Sequence, residues 1–104
     1  MLVVDNSNFK KEVLESQLPV LVDFYAEWCP PCKMYAPAFE KTAAKMDGKI
    51  KFVKLNVDNA QEIATGYAVM SIPTTILFKG GKAAASFVGA MGEAALEQWL
   101  TDKI

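Results

Sequence analysis

The chain has 104 residues, 52% of them hydrophobic and 22% charged, and a net charge of −1. This fits one globular domain, residues 1–104, with a single buried core. Without a basic face, nucleic acid is not an expected partner. No apolar run approaches a membrane span, and the lack of histidine removes imidazole metal ligation and histidine acid–base chemistry.

Met1-Leu2-Val3-Val4-Asp5 has no basic region leading into a long apolar stretch, so no signal peptide is expected. Val3-Val4 reads as a short first strand. Ser7 to Ser16 reads as a helix with Phe9, Val13 and Leu14 inward and Asn6 or Ser7 as its cap. Val20 to Ala26 is apolar on both faces, as a central parallel strand should be. Tyr35, Phe39, Thr42, Ala43 and Met46 then recur at helical spacing, which predicts a helix from about Pro31 to Met46, ended by Gly48. Pro37 lies inside it and should kink it.

Lys51 to Val57 reads as another strand. Lys49, Lys51 and Lys54 are read as its solvated edge. Asn59 to Tyr67 gives a short helix with Ala60, Ile63, Ala64 and Tyr67 on one face. Thr74–Phe78 and Ala83–Val88 flank Lys79-Gly80-Gly81-Lys82, a hairpin signal. A last helix, about Glu93 to Lys103, buries Leu96, Trp99 and Leu100. Alternating elements of this kind predict an α/β fold: a central mixed sheet of about five strands with about four helices on both its faces.

Both cysteines lie in Trp28-Cys29-Pro30-Pro31-Cys32-Lys33, between the central strand and the long helix. Two thiols there can close into a small disulfide and reopen. A helix N-terminus offers unpaired N–H groups and a partial positive charge, which favour the thiolate, the reactive form. The spacing also fits half of a zinc or iron–sulfur site, but the other ligands are missing from this chain. Two inert buried thiols are the other plain alternative. Cys29, outside the first turn, is expected to be the exposed attacker, and Cys32, inside it, the shielded resolver. A two-cysteine chain of this size is no secreted disulfide framework, and a reducing, cytoplasmic compartment fits best.

Asp23 interrupts the apolar strand. It is either a surface acid on an edge or a buried one whose charged form is disfavoured. A buried Asp23 with a raised pKa can deprotonate Cys32, directly or through water. Lys54 either lies beside it from the next strand or faces solvent.

Over nearly its whole length the chain resembles thioredoxins. The matching segments are Val22–Cys29, Pro31–Met34, Ala36-Pro37, Lys54–Asp58, Ile72-Pro73-Thr74, Phe78–Gly81 and Val88-Gly89-Ala90. The resemblance implies a thioredoxin fold and a protein disulfide reductase. It implies Cys29 as nucleophile, Cys32 as resolving thiol and Asp23 as the base. It also implies a cis-proline, Pro73, in a loop facing the disulfide, with the Ile72 backbone open to an extended substrate. Trp28, Pro30, Pro31, Ile72, Val88, Gly89 and Ala90 would then form an apolar collar around Cys29.

No cofactor is implied beyond the redox-active Cys29–Cys32 pair, and no metal. The implied partners of this monomer are a thioredoxin reductase as electron donor and disulfide-containing proteins as substrates. The chain departs from the usual pattern at Pro30, where glycine is common, at Tyr25, where tryptophan is, and at Met70-Ser71, where a glycine often precedes the isoleucine. Pro30 bears on the reduction potential and Met70-Ser71 on the choice of partner. Two other functions fit the same residues: a less reducing oxidant or isomerase tuned by Pro30, and a binding subunit that uses the collar and needs no thiol chemistry.

Overall fold

Three apolar segments pair in parallel from one edge of the sheet to its centre. In the computed structural model, which describes residues 1–104, they are β1 (Leu2–Val4), β3 (Lys51–Asn56) and β2 (Val20–Tyr25), in that order across the sheet. Antiparallel β4 (Thr74–Lys79) pairs with the other side of β2, and β5 (Lys82–Val88) with β4. Four helices complete the molecule: a π-helical segment at Lys10–Leu14, α1 (Pro30–Lys45), α2 (Gln61–Gly66) and α3 (Glu93–Lys103). A five-stranded mixed sheet with four helices is the architecture that the resemblance implies.

Strand side chains alternate between faces, so each of the three inner strands serves two cores. On one face Val20, Val22 and Phe24 pack with Val53, Leu55, Ile76 and Phe78 beneath Phe9, Val13, Ala60 and Ala64. On the other, Leu21, Phe52 and Leu77 pack beneath Tyr35 and Phe39 of α1 and Leu96 and Leu100 of α3. Asp23 belongs by alternation to this second face, under α1. At its far end α1 is tied to α3 by Lys45, which pairs with Glu93 and Glu97. A cation in the last turn of α1 and acids near the start of α3 match both helix dipoles.

Several boundaries differ from the sequence reading. The first helix is Lys10–Leu14 rather than Ser7–Ser16. Its N-cap is Phe9, with no side-chain cap, rather than Asn6 or Ser7; in the turn ahead of it the Asp5 carboxylate accepts from Ser7 N–H, and Asn8 Oδ1 accepts from Asp5 N–H. The bond from the Ser7 hydroxyl holds the Asp5 carboxyl below its usual range. At the other end the Ser16 hydroxyl bonds the Leu18 backbone and turns the chain toward Pro19. The second helix begins at Pro30 and ends at Lys45, one residue earlier at each end than expected, and runs on across exposed Pro37. The third is Gln61–Gly66, shorter than Asn59–Tyr67 because Val57–Asn59 takes a 3₁₀ turn. Trp99 is half-buried, packed edge-on against Phe87 rather than enclosed. The lysine edge is also less solvated than expected: Lys51 bonds Glu12 at 2.7 Å, and Lys54 is half-buried.

Two turns carry unusual backbone. Gly80 and Gly81 join β4 to β5 with φ of 57° and 79°, the left-handed pair that a two-residue hairpin requires. A Cβ on Gly81 would lie 2.8 Å from the Leu14 carbonyl oxygen, so the hairpin rests directly on the π-helical segment. After α2, Ala68 is left-handed at φ 58°. The Ala68 N–H reaches Thr65 O and the Val69 N–H reaches Ala64 O, a Schellman closure in which glycine is the usual left-handed residue.

Ala68→Gly is therefore expected to stabilise the fold by about 0.5–1 kcal/mol: it relieves left-handed strain but adds freedom to the unfolded chain. Gly81→Ala should destabilise it. Urea melts of both variants check this, and a less stable Ala68→Gly protein would contradict it.

Candidate active site

The end of β2 and the start of α1 place the two cysteines. Cys29 is the N-cap of α1, extended at φ −94° and ψ 109°. The next two residues are prolines, fit for the first turn because they have no N–H to leave unpaired. The first free amide of the helix is then that of Cys32, which donates to Cys29 Sγ at 3.3 Å. Cys29 and Cys32 form a disulfide, with Cα atoms 5.3 Å apart. Pro30 is helical, although a residue that precedes a proline is biased away from helical angles.

One expectation is corrected. Both cysteines are buried at 3% exposure, so Cys29 is no more accessible than Cys32 in this oxidised state. The sulfurs pack against Ala26, Tyr25, Val57 and Ile72. What separates the two is their place on the helix: Cys29 Sγ receives the amide and the dipole, and Cys32 lies one turn inside.

The Ile72–Pro73 bond is cis, and the Ile72 carbonyl oxygen lies 3.8 Å from Cys29 Sγ. Pro73 O accepts from Gly89 N–H at 2.8 Å, which holds Val88-Gly89-Ala90 beside the loop. Of the expected collar, Trp28, Pro30, Pro31, Val88 and Ala90 are exposed, and Ile72 and Gly89 are half-buried. Trp28 is 67% exposed, which excludes core packing. Its indole N–H donates to Asp58 Oδ2 at 2.8 Å. Asp58 is held in turn by the 3₁₀ turn, where Asn56 Oδ1 accepts its N–H. The sequence reading gave Asp58 no role. Its signal was slight: one acid just past a strand.

Asp23 is fully buried, and neither carboxylate oxygen has a hydrogen-bond partner. Burial pushes its pKa up to about 7, opposed by the charge of Lys54. Lys54 is directly beside it in the β2–β3 register, but no ion pair joins them. The Lys54 ammonium instead sits 4.5 Å from the centre of the Tyr25 ring, a cation–π contact. A cleft of about 200 Å³ is lined by Lys54, Tyr25, Ala26, Glu27, Cys32, Lys33 and Ala36. Cys32 thus faces the cleft that Lys54 lines. On the far side of Asp23, Thr75 opposes it across β4 and bonds the Tyr35 hydroxyl at 3.0 Å. The sequence reading missed this pair because Tyr35 looked like one more apolar helix position.

A dithiol–disulfide couple at the mouth of a helix, on a five-stranded mixed sheet, defines a thiol–disulfide oxidoreductase of the thioredoxin fold. The family model for thioredoxin matches residues 1–102. The chain is 46% identical to a thioredoxin of Rickettsia felis over 101 residues, covering 97% of this chain and 96% of that protein. It is 48% identical to thioredoxin 1 of a Nostoc species over 97 residues, covering 93% and 91%. It is 45% identical to a chloroplastic M-type thioredoxin of Chlamydomonas reinhardtii over 95 residues, covering 91% and 68%. The chain belongs to the thioredoxin family. Proteins of this family are protein disulfide reductases that work without a cofactor, their redox couple being the cysteine pair.

The buried acid makes stability depend on pH in a defined direction. Its folded pKa lies near 7 and its unfolded value near 4. Between these the native state binds more protons, so stability falls as pH rises through that window. Asp23→Asn is expected to gain stability at pH 8, on the order of 2–4 kcal/mol. The gain should be small at pH 4. Urea melts at the two pH values check this, and an Asn variant less stable than its parent at pH 8 would contradict it.

Proposed function

We propose that this single domain is a monomeric cytoplasmic reductant of protein disulfides, with Cys29 as nucleophile and Cys32 as resolving thiol. The observation that carries this assignment is the Cys32 N–H aimed at Cys29 Sγ. It is the first free amide of the helix, and it favours charge on one sulfur. Cys29 thiolate attacks a substrate disulfide, forming a mixed disulfide and releasing one substrate thiolate. Cys32 gives its proton to the Asp23 carboxylate, through water in the cleft that Lys54 lines. The Cys32 thiolate then attacks Cys29 Sγ, the second substrate thiolate leaves, and the Cys29–Cys32 disulfide remains.

Substrate docks on the rim formed by Trp28, Pro30, Pro31, Ile72, Val88, Gly89 and Ala90, with buried Pro73 holding the Ile72 backbone beneath it. The Trp28–Asp58 bond supports this reading, since it holds a large apolar surface outward beside the sulfurs. Two electrons from a thioredoxin reductase restore the dithiol. No helix is long and apolar enough to cross a membrane, and the chain's near-neutral charge gives little hold on nucleic acid.

In the reduced protein, brief iodoacetamide treatment near neutral pH is expected to label Cys29 first, read by mass mapping. Faster labelling of Cys32 would reverse the roles. Cys32→Ser should trap the mixed disulfide with a disulfide-bonded protein substrate. If the Cys29→Ser, Cys32→Ser double variant kept its biological role, that role would be binding rather than reduction.

Pro30→Gly tests the redox assignment. It restores an N–H at the first helical position but leaves the Cys32 amide on Cys29 Sγ. A net effect of one hydrogen bond, about 1 kcal/mol, moves a two-electron couple by only about 20 mV. The potential is therefore expected to shift by less than about 30 mV against glutathione. A shift beyond roughly 60 mV would make Pro30 a tuning residue and favour the oxidant or isomerase.

A further inference from the structure

Three threonines are buried: Thr42, Thr74 and Thr75. The Thr42 hydroxyl donates to Ala38 O, and that of Thr74 to Ser71 O. Thr75 alone bonds another hydroxyl, that of fully buried Tyr35. Two hydroxyls carry two protons, and their mutual bond uses one. Whichever of them donates, one proton is left over. The neighbouring acceptor without a partner is the Asp23 carboxylate, directly opposite Thr75 in the β2–β4 register.

Directly opposed residues of an antiparallel pair keep their Cβ atoms roughly 4.5–5.5 Å apart. A rotation of the Asp23 side chain therefore brings its carboxylate to the pair's spare proton with the backbone unmoved and the Thr75–Tyr35 bond intact. The surroundings offer little else: Tyr35 packs against Phe39 and Phe87. The groups facing Asp23 are Lys54 of β3, Tyr35 of α1 and Tyr25 of its own strand; β4 supplies uncharged Thr75.

We propose that Thr75 and Tyr35 are positioning residues for the proton step at Cys32: the pair turns its spare proton onto Asp23 when that carboxyl is ionised and withdraws it when Asp23 takes up the thiol proton. The proton gained by Asp23 is the one that Cys32 loses, so the pair transfers none itself. It holds part of the Asp23 population in the basic form near neutral pH, where burial alone would leave less. A donor that serves only the ionised state favours that state. This role rests on Asp23 being the base for Cys32, as proposed above.

The test is a carbon-13 NMR titration of the Asp23 carboxyl in the oxidised protein, where the cysteines do not titrate. Thr75→Val is expected to raise the Asp23 midpoint by about one unit, the size of one hydrogen bond to a charged group. Thr75→Ser should keep the parent midpoint, and Tyr35→Phe should raise it by less than Thr75→Val. If valine prevents folding, Thr75→Ala reads the same quantity. A midpoint within about 0.3 unit of the parent, in the valine variant or its alanine substitute, overturns the proposal.

The pH profile for release of reduced substrate from a mixed disulfide at Cys29 should move upward with that midpoint. The two readings fail separately. If Asp23→Asn releases substrate as fast as the parent, the base assignment falls, and with it the catalytic role of the pair. If Asp23→Asn slows release but Thr75→Val leaves the titration unmoved, Asp23 stands as the base and only the hydroxyl pair falls.

Discussion

A carboxyl group with no hydrogen-bond partner, sealed beneath the first turns of a helix, is the constraint around which this molecule is arranged. Burial of an unpaired acid opposes folding, and the opposition grows as the acid ionises. The remainder of the domain has to offset it. It does so with two apolar cores, one on each side of the sheet, that enclose Val20, Leu21, Val22 and Phe24 completely. Asp23 thus sits in the best-packed strand of the protein, where the surroundings can hold an unfavourable group in place. Burial that raises a carboxyl to about 7 brings it into the range that the proposed proton exchange with a thiol needs.

The geometry around the sulfurs follows from covalent structure more than from packing. Two successive residues without an amide leave the helix one free N–H in its opening turn, and the N-cap sulfur takes it. The same prolines lie exposed on the rim. One short stretch of chain therefore sets the electrostatics at Cys29 Sγ and forms part of the rim proposed as the docking surface. Trp28, immediately before it, is held outward by a bond to Asp58 from a separate element. That is how a large ring remains two-thirds exposed without collapsing onto the sheet.

Much of this was legible in the sequence. The central strand announces itself as an apolar run broken by one acid. The Gly-Gly hairpin and the spacing of Tyr35, Phe39 and Thr42 need only local rules. Illegible were features set by meetings of distant segments. The first helix is confined between turns in which the Asp5 and Ser16 side chains bond the backbone, and Gly81 of a remote hairpin rests on its Leu14 carbonyl. Cys29 looked exposed because it precedes the helix, but Ile72, 43 residues away, closes over it. Tyr35 and Thr75 each look ordinary alone. Only the β2–β4 register, together with the bond from Tyr35 of α1 to Thr75, brings the two hydroxyls beside the buried acid.

The paired prolines also determine how the site can be observed. A backbone amide spectrum has no signal for residues 30 and 31, so Cys32 is the first helical residue that reports at all. Its amide proton is also the one that points at Cys29 Sγ. Charge appearing on that sulfur acts on this proton first, ahead of every other amide in the helix. A single resonance thus serves as a built-in voltmeter for the state of the nucleophile.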